Sequence, residues 1–190
     1  MIEYLTRNTH SGAVCATLRR FRAWLMLPAM VLFLAACSHD NGHGSASAQH
    51  DGRHNGMTHL DVYMTRTCGC CGLWVDHAEE QGFHTVVTYM EHDELTREKL
   101  DLGIGLRLQS CHTAVSSDGY VFEGHLPARL IHSFLDDVPA GARGLAVPGM
   151  PIGSPGMEMG DRFEPYDVLL VKEDGSIEVY ARIESLEEQY

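Results

Sequence analysis

The clearest regularity in the chain is an alternation of apolar and polar residues that begins at Leu60. Apolar side chains recur at every second position over residues 60–65, which predicts a β-strand. The same reading of period and turn residues predicts six more elements. They are helices over 73–81, over 93–102 and from Pro127 onwards, and strands over 85–90, 113–115 and 120–122.

The helices carry recognisable ends and apolar faces. Gly82 and Gly103 are typical helix stops, and Asp93 is a typical N-cap. We expect the first helix to bury one face and the third helix another. The predicted inward residues are Leu73, Trp74, His77 and Ala78 in the first, and Leu130, Ile131, Phe134 and Leu135 in the third.

The order of these elements predicts the fold class. It is β-α-β-α-β-β-α, which indicates an α/β domain with a thioredoxin-like topology and a cysteine motif between the first strand and the first helix. Topology alone does not give function. A Gly/Pro/Met loop over 144–160 follows, and then strands over 167–171 and 177–181 form a C-terminal β-hairpin. We expect this loop and hairpin to be an appendage beyond the minimal fold.

The first 36 residues predict a bacterial lipoprotein signal peptide. Three arginines over 19–22 precede an apolar run over 23–34, which is shorter than the roughly twenty residues that a spanning helix needs. The run ends in Leu-Ala-Ala-Cys, which resembles a lipobox, so we expect Cys37 to be lipidated. The prediction is a periplasm-facing, membrane-anchored protein of the cell envelope. Ser38 after the cysteine favours the outer membrane.

Residues 37–58 are predicted to be the lipidated cysteine and a disordered, His-rich linker, which leaves 59–190 as the thioredoxin-like domain. The linker lacks apolar periodicity and is rich in Gly, Ser, Ala and His. Its histidines either bind metal loosely or are simply solvated, and their irregular spacing leaves both alternatives open. These histidines are His39, His43, His50 and His54.

The charge of the chain excludes one class of partner. Residues 1–36 hold four arginines and one acid, so the processed chain keeps 10 basic and 25 acidic side chains, a formal charge of −15. Nucleic acid is not an expected partner, because phosphate binding needs a basic surface. An acidic surface attracts cations instead.

Four cysteines after Cys37 fall into two short motifs, Cys68-Gly69-Cys70-Cys71-Gly72 and Ser110-Cys111-His112-Thr113. The first motif is expected at a helix N-terminus, where the dipole and free amides stabilise thiolate, the form that acts as nucleophile and as metal ligand. Cys68, Cys70 and Cys71 are therefore redox candidates as well as metal-ligand candidates. Sulfur-rich sites favour Cu(I) or zinc.

The second motif is expected to complete the site. In a thioredoxin-like fold the position before the third strand faces the cysteine motif, so Cys111 and His112 are predicted metal ligands. The alternative for His112 is a strand-end imidazole bonded to backbone. Met150 and Met157 are further candidates, because thioethers suit Cu(I), although they could equally fill gaps in the core. His77 and His125 are assigned supporting, structural roles.

Four segments together resemble the CopG-type copper-resistance family, a cysteine-rich periplasmic metal-binding domain formerly of unknown function. They are CGCCGLWVDHAEEQGF, LQSCHTAV, GYVFEGHLPA and GLAVPGMPIGSPGME, in this order between about Leu60 and Leu170. The resemblance implies a thioredoxin-like domain that binds copper and protects against it. It also implies that Cys68, Cys70, Cys71 and Cys111 are copper ligands with His112 adjacent, and that exchange between Cu(I) and Cu(II) is linked to cysteine oxidation.

The leading hypothesis is a periplasmic copper-binding protein of copper resistance that sequesters copper or interconverts Cu(I) and Cu(II). The metal would be bound as one Cu(I) or as a multi-copper thiolate cluster. Other copper-resistance or efflux proteins of the envelope are expected partners. Two alternatives stay open: a thiol–disulfide oxidoreductase, and a binding module with a structural zinc site. Enzymatic turnover, of copper or of thiols, is left open.

Overall fold

The computed structural model describes residues 53–54 and 57–190, and it shows a mixed α/β domain. Three α-helices accompany eight strands, and a short 3₁₀ helix, η1 (Glu187–Gln189), ends the described chain. The helices are α1 (Gly69–Glu80), α2 (His92–Asp101) and α3 (Ala128–Asp136). The strands are β1 (Arg53–His54), β2 (Met57–Met64), β3 (Phe83–Tyr89), β4 (His112–Ser116), β5 (Val121–Glu123), β6 (Ala142–Ala146), β7 (Tyr166–Lys172) and β8 (Ile177–Ile183).

All eight strands form one sheet. β2 pairs with β3 in parallel and with β4 in antiparallel fashion, while β1 pairs with the first two residues of β2. The sheet then continues through β5, β6, β7 and β8. The predicted order β-α-β-α-β-β-α is observed from β2 to α3, which confirms the α/β class. The thioredoxin-like comparison remains a prediction.

The C-terminal hairpin extends the main sheet beyond the predicted β-α-β-α-β-β-α core. β6 pairs in parallel with β5 and in antiparallel fashion with β7, so it joins the hairpin to the main sheet. The pattern did not predict β6, because Arg143 and Gly144 interrupt it. Gly144 is needed there: a Cβ at this position would lie 1.7 Å from the carbonyl oxygen of Val121 on β5.

The first helix begins four residues earlier than predicted, so Cys70 and Cys71 lie in its first turn. Its buried stripe runs through Cys71, Trp74, Val75 and Ala78, with the i, i+3, i+4, i+7 spacing of a helix face. This phase turns Leu73 outward, and it is 56% exposed. The prediction that Leu73 faces the core was wrong.

The other helices follow the prediction more closely. α2 has Glu91 as its N-cap, so Asp93 lies in the first turn instead of capping the helix. α3 starts after Pro127 and buries Leu130, Ile131 and Phe134 as expected, while Leu135 is only partly buried. Within the described part of the chain, every helix is too short or too polar to span a lipid bilayer.

The ordered domain starts slightly earlier than predicted. β2 begins at Met57, two residues before the predicted start at 59, and β1 falls inside the segment assigned to the linker. The signal peptide, the lipidation of Cys37 and the rest of the linker lie outside the described residues.

Candidate metal centre

The start of α1 brings three cysteines together. Cys68 is the N-cap residue, and Cys68 and Cys71 form a disulfide. Cys70, which remains a thiol, has its Sγ 3.6 Å from the Sγ of Cys68. Cys71 is fully buried, whereas Cys68 and Cys70 are half-buried. Reduction of one disulfide would therefore present three adjacent thiols at a helix N-terminus.

Cys111, the residue directly before β4, approaches this group. Its Sγ lies 3.8 Å from that of Cys70, and the four cysteine sulfurs all lie within 4.8 Å of one another. The sequence-predicted set of Cys68, Cys70, Cys71 and Cys111 is thus brought into one cluster. Once the Cys68–Cys71 disulfide is reduced, four sulfurs this close can surround one soft cation or bridge several.

A buried ion pair anchors the Cys111 side of the cluster. The Lys99 ammonium lies 2.7 Å from Glu123 Oε1, and both side chains are almost completely buried. Lys99 also donates to the carbonyl oxygen of Ser110 at 2.7 Å, and the Ser110 N–H donates to Glu123 at 2.5 Å. Both backbone groups of the residue before Cys111 are therefore fixed. The sequence analysis missed this pair, because Lys99 lies on a helix that is mostly polar.

His125 is the most direct nitrogen neighbour of the cluster. Its Nε2 lies 3.0 Å from the Sγ of Cys111, and its Nδ1 lies 2.8 Å from the carbonyl oxygen of Pro155. A carbonyl can only accept, so Nδ1 carries the proton and the Nε2 lone pair points at the sulfur. Histidines that bind metals commonly donate their other ring N–H in this way.

The sequence assigned His125 a supporting role. Nothing in the local pattern showed that Pro155 would fix its ring. The only local signal was its place directly after a short buried strand and a glycine.

His112 is fully buried beside the same sulfur. Its Nδ1 lies 3.5 Å from Cys111 Sγ, and its ring packs against Trp74, with centroids 4.5 Å apart. Its Nε2 is buried and has no hydrogen-bond partner among the described residues. Cys111, His112 and His125 each offer a ligand atom within 4.8 Å of the others.

The electrostatics of the centre favour neutral groups before metal binds. Burial, followed by the neighbouring Cys70 thiol, raises the pKa of Cys111 to about 12, while the Ser110 hydroxyl and Lys99 oppose that shift. Burial also lowers the pKa of His125 and, together with His125 and Lys99, holds the pKa of His112 well below its usual value. Both imidazoles are therefore neutral at pH 7, with lone pairs ready for a cation.

The Gly/Pro/Met loop reaches the centre through its backbone. Pro155 accepts the His125 hydrogen bond, and the Ser110 hydroxyl donates to the carbonyl of Gly149. At Gly156, where φ is 81°, a Cβ would lie 2.7 Å from the Cys70 carbonyl oxygen. Met150 is 52% exposed and Met157 is partly buried. Their assignment as metal ligands remains a prediction.

His77 and a cavity beside Cys111 are two further features near the centre. His77 accepts a hydrogen bond from the Ala128 N–H at 3.1 Å, which ties α1 to α3 and gives it the structural role expected. A cavity of about 260 Å³ opens onto Cys111 and Ser110 between α2 and the segment that precedes β4. It gives a small ion or thiol a route to Cys111.

Comparison with known proteins gives the geometry a family context. A family model described as "Protein of unknown function, DUF411" matches residues 108–157, which include Cys111, His112 and His125. A search of curated proteins found none that matches. Two solved structures, "Copper resistance protein copG- Form 1" and "Form 2", are each 40% identical to the chain with a TM-score of 0.61. They cover 66% of this chain, and 96% and 98% of their own lengths are matched. The cysteine and histidine cluster fits a copper-related role, and the chain belongs to the CopG family of copper resistance proteins.

Proposed function

We propose that this protein binds copper as Cu(I) at the four-cysteine cluster and thereby protects the bacterial envelope from the free ion. The observation that carries this proposal is the convergence of four sulfurs within 4.8 Å, with the His125 lone pair directed at one of them. Thiolate donors suit Cu(I) far better than hard cations. Copper is the cargo in this account, held as one ion or as a compact cluster bridged by thiolates.

The disulfide gives the centre two states. With Cys68 and Cys71 joined, Cys70 and Cys111 are the remaining thiols of the cluster. Reduction of this disulfide by two electrons and two protons from a thiol donor supplies four sulfur ligands. In the reverse direction, two Cu(II) ions each take one electron from the Cys68 and Cys71 thiols, giving two Cu(I), the disulfide and two protons. The Cys68 and Cys71 thiols can therefore supply the electrons that interconvert Cu(II) and Cu(I), and this reaction is part of the proposal.

The cellular location and the partners of the protein are part of the same proposal. The lipobox ending in Cys37 supports a lipid anchor, and the Ser38 that follows supports the outer membrane. The acidic composition supports a protein that meets cations and not nucleic acid. Copper-resistance or efflux proteins of the envelope would receive or deliver the metal.

Anaerobic Cu(I) titration of the reduced full-length chain tests the site. Cys70→Ser and Cys111→Ser should each lower the affinity at least tenfold and reduce the number of ions bound. His132→Gln is a matched control, because His132 bonds the Gln81 carbonyl at the far end of α1. If both cysteine variants keep the stoichiometry and affinity of the parent chain, the site is assigned to the wrong residues.

A second candidate function is thiol–disulfide exchange. It is favoured by the Cys68–Cys71 disulfide, which links residues three positions apart at a helix start, with the half-buried Cys68 as its accessible sulfur. Disulfide reduction of a small protein substrate, with copper removed by a chelator, would support this function. Metal analysis of the purified protein separates both functions from a structural zinc site, which would retain one zinc ion per chain.

A further inference from the structure

A pair of histidines lies on the sheet well away from the cysteines. His59 on β2 and His84 on β3 are direct partners in the parallel register of these two strands. Their rings stack with centroids 5.4 Å apart, and the two Nδ1 atoms face each other at 3.1 Å. Both side chains are partly exposed. Two imidazole nitrogens therefore converge at a surface that solvent ions can reach.

Asp61 fixes which nitrogen of His59 can act as a ligand. One of its carboxylate oxygens lies 3.1 Å from His59 Nε2, two positions along the same face of β2. An ionised carboxylate only accepts hydrogen bonds, so Nε2 carries a proton and donates it. In neutral His59 the Nδ1 lone pair then points towards His84. A carboxylate that bonds the distal N–H of a histidine is the usual support for a histidine that ligates a metal.

The spacing of the two nitrogens suits one metal ion. Metal–imidazole bonds of about 2.0–2.1 Å place two ligand nitrogens roughly 2.9 Å apart at a right angle and roughly 3.3 Å apart at a tetrahedral angle. The observed 3.1 Å lies between these values. Without metal, a hydrogen bond between the two Nδ1 atoms spans this distance. Metal binding at both Nδ1 atoms uses the tautomer of His84 that carries its proton on Nε2.

We propose that His59 and His84 form a second metal site, which takes a divalent transition-metal ion that prefers imidazole, Cu(II) foremost and Zn(II) next. Nδ1 of each histidine is a ligand, water completes the coordination sphere, and Asp61 orients His59. Met64, at the end of β2 nearest the cysteines, lies five residues from His59, which is about 16 Å along the strand. The site is thus distinct from the cysteine cluster and does not depend on its function.

Cu(II) titration of the full-length chain tests the site in a Cys70→Ser/Cys111→Ser background. These changes leave the disulfide intact and remove the two free thiols of the cluster, so those thiols can neither reduce nor bind Cu(II). We expect one tight ion with nitrogen hyperfine splitting in its electron paramagnetic resonance spectrum. His59→Gln or His84→Gln should weaken its binding at least tenfold, and Asp61→Asn severalfold. His92→Gln, on the exposed start of α2, is the matched control and should have no effect.

Unchanged binding in both His59→Gln and His84→Gln would overturn the proposal and assign the ion to the N-terminal histidines alone. A measurement on the unaltered chain guards against variants that misfold. Zn(II) should shift the Nδ1 resonances of His59 and His84 in a ¹⁵N spectrum of the imidazoles. If those two resonances do not move while metal binds, His59 and His84 are not ligands.

Discussion

The two halves of the cysteine cluster are held in different ways. Cys68, Cys70 and Cys71 are near neighbours in sequence at one helix start, and their pairing depends on the redox state. Cys111 lies directly before β4 and His125 lies in the turn after β5, and buried polar contacts over long sequence distances fix them. We call the first group the helix half and the second group the strand half. In the proposed function the helix half changes its bonding with redox state, while the strand half stays fixed and receives the metal.

The largest expected effect concerns the anchor of the strand half. Lys99→Met would leave the buried Glu123 carboxylate without its partner and should cost about 3–5 kcal/mol of unfolding free energy. Lys172→Met is the control, because Lys172 and Glu178 form an exposed pair worth less than about 1 kcal/mol. Urea denaturation measures both. Equal losses in the two variants would show that the buried pair is not a special anchor.

The next largest loss of stability is expected where the Gly/Pro/Met loop packs against the start of α1. In Gly156→Ala the new Cβ meets the Cys70 carbonyl at 2.7 Å, and its φ of 81° disfavours any side chain, so we expect a loss of about 2–3 kcal/mol. Gly160→Ala shares a positive φ but meets nothing within 4 Å, so it should cost only about 1 kcal/mol. Thermal unfolding compares them. A smaller loss at Gly156 than at Gly160 would mean that the close approach does not matter.

His125 tests whether the strand half contributes to metal affinity. His125→Gln should weaken Cu(I) binding by about tenfold, or about 1.4 kcal/mol, because it removes the Nε2 lone pair next to Cys111. His132→Gln should leave the affinity unchanged. Equal Cu(I) affinities for His125→Gln and the parent chain would show that His125 does not contribute to metal binding.

The buried histidines predict a pH dependence of stability. Burial lowers the pKa values of His77, His112 and His125, so the unfolded chain binds protons that the folded chain does not. Stability is then full above the unfolded pKa of about 6.5 and is lost as pH falls through it. The unfolding free energy should therefore decrease as the pH is lowered from 7 to 5. A flat unfolding free energy over this range would contradict neutral burial.

Local features of the fold and site could be predicted from the sequence, whereas contacts between distant residues could not. The alternation around Leu60 predicted β2, and the clustering of cysteines predicted the members of the sulfur site. The start of α1 was missed because two glycines flank the cysteines, and β6 was missed because Arg143 and Gly144 break its pattern. His125 and Lys99 gain their importance from Pro155 and Ser110, which only tertiary folding brings near them.

The most direct test of the central claim compares Cu(I) binding by the same full-length chain in its two redox states. Anaerobic titration of the fully reduced chain should show tight binding with four thiols protected from alkylation. The chain with the Cys68–Cys71 disulfide intact should bind at least a hundredfold more weakly. Equal affinity in both states would contradict the claim that the helix half switches the site.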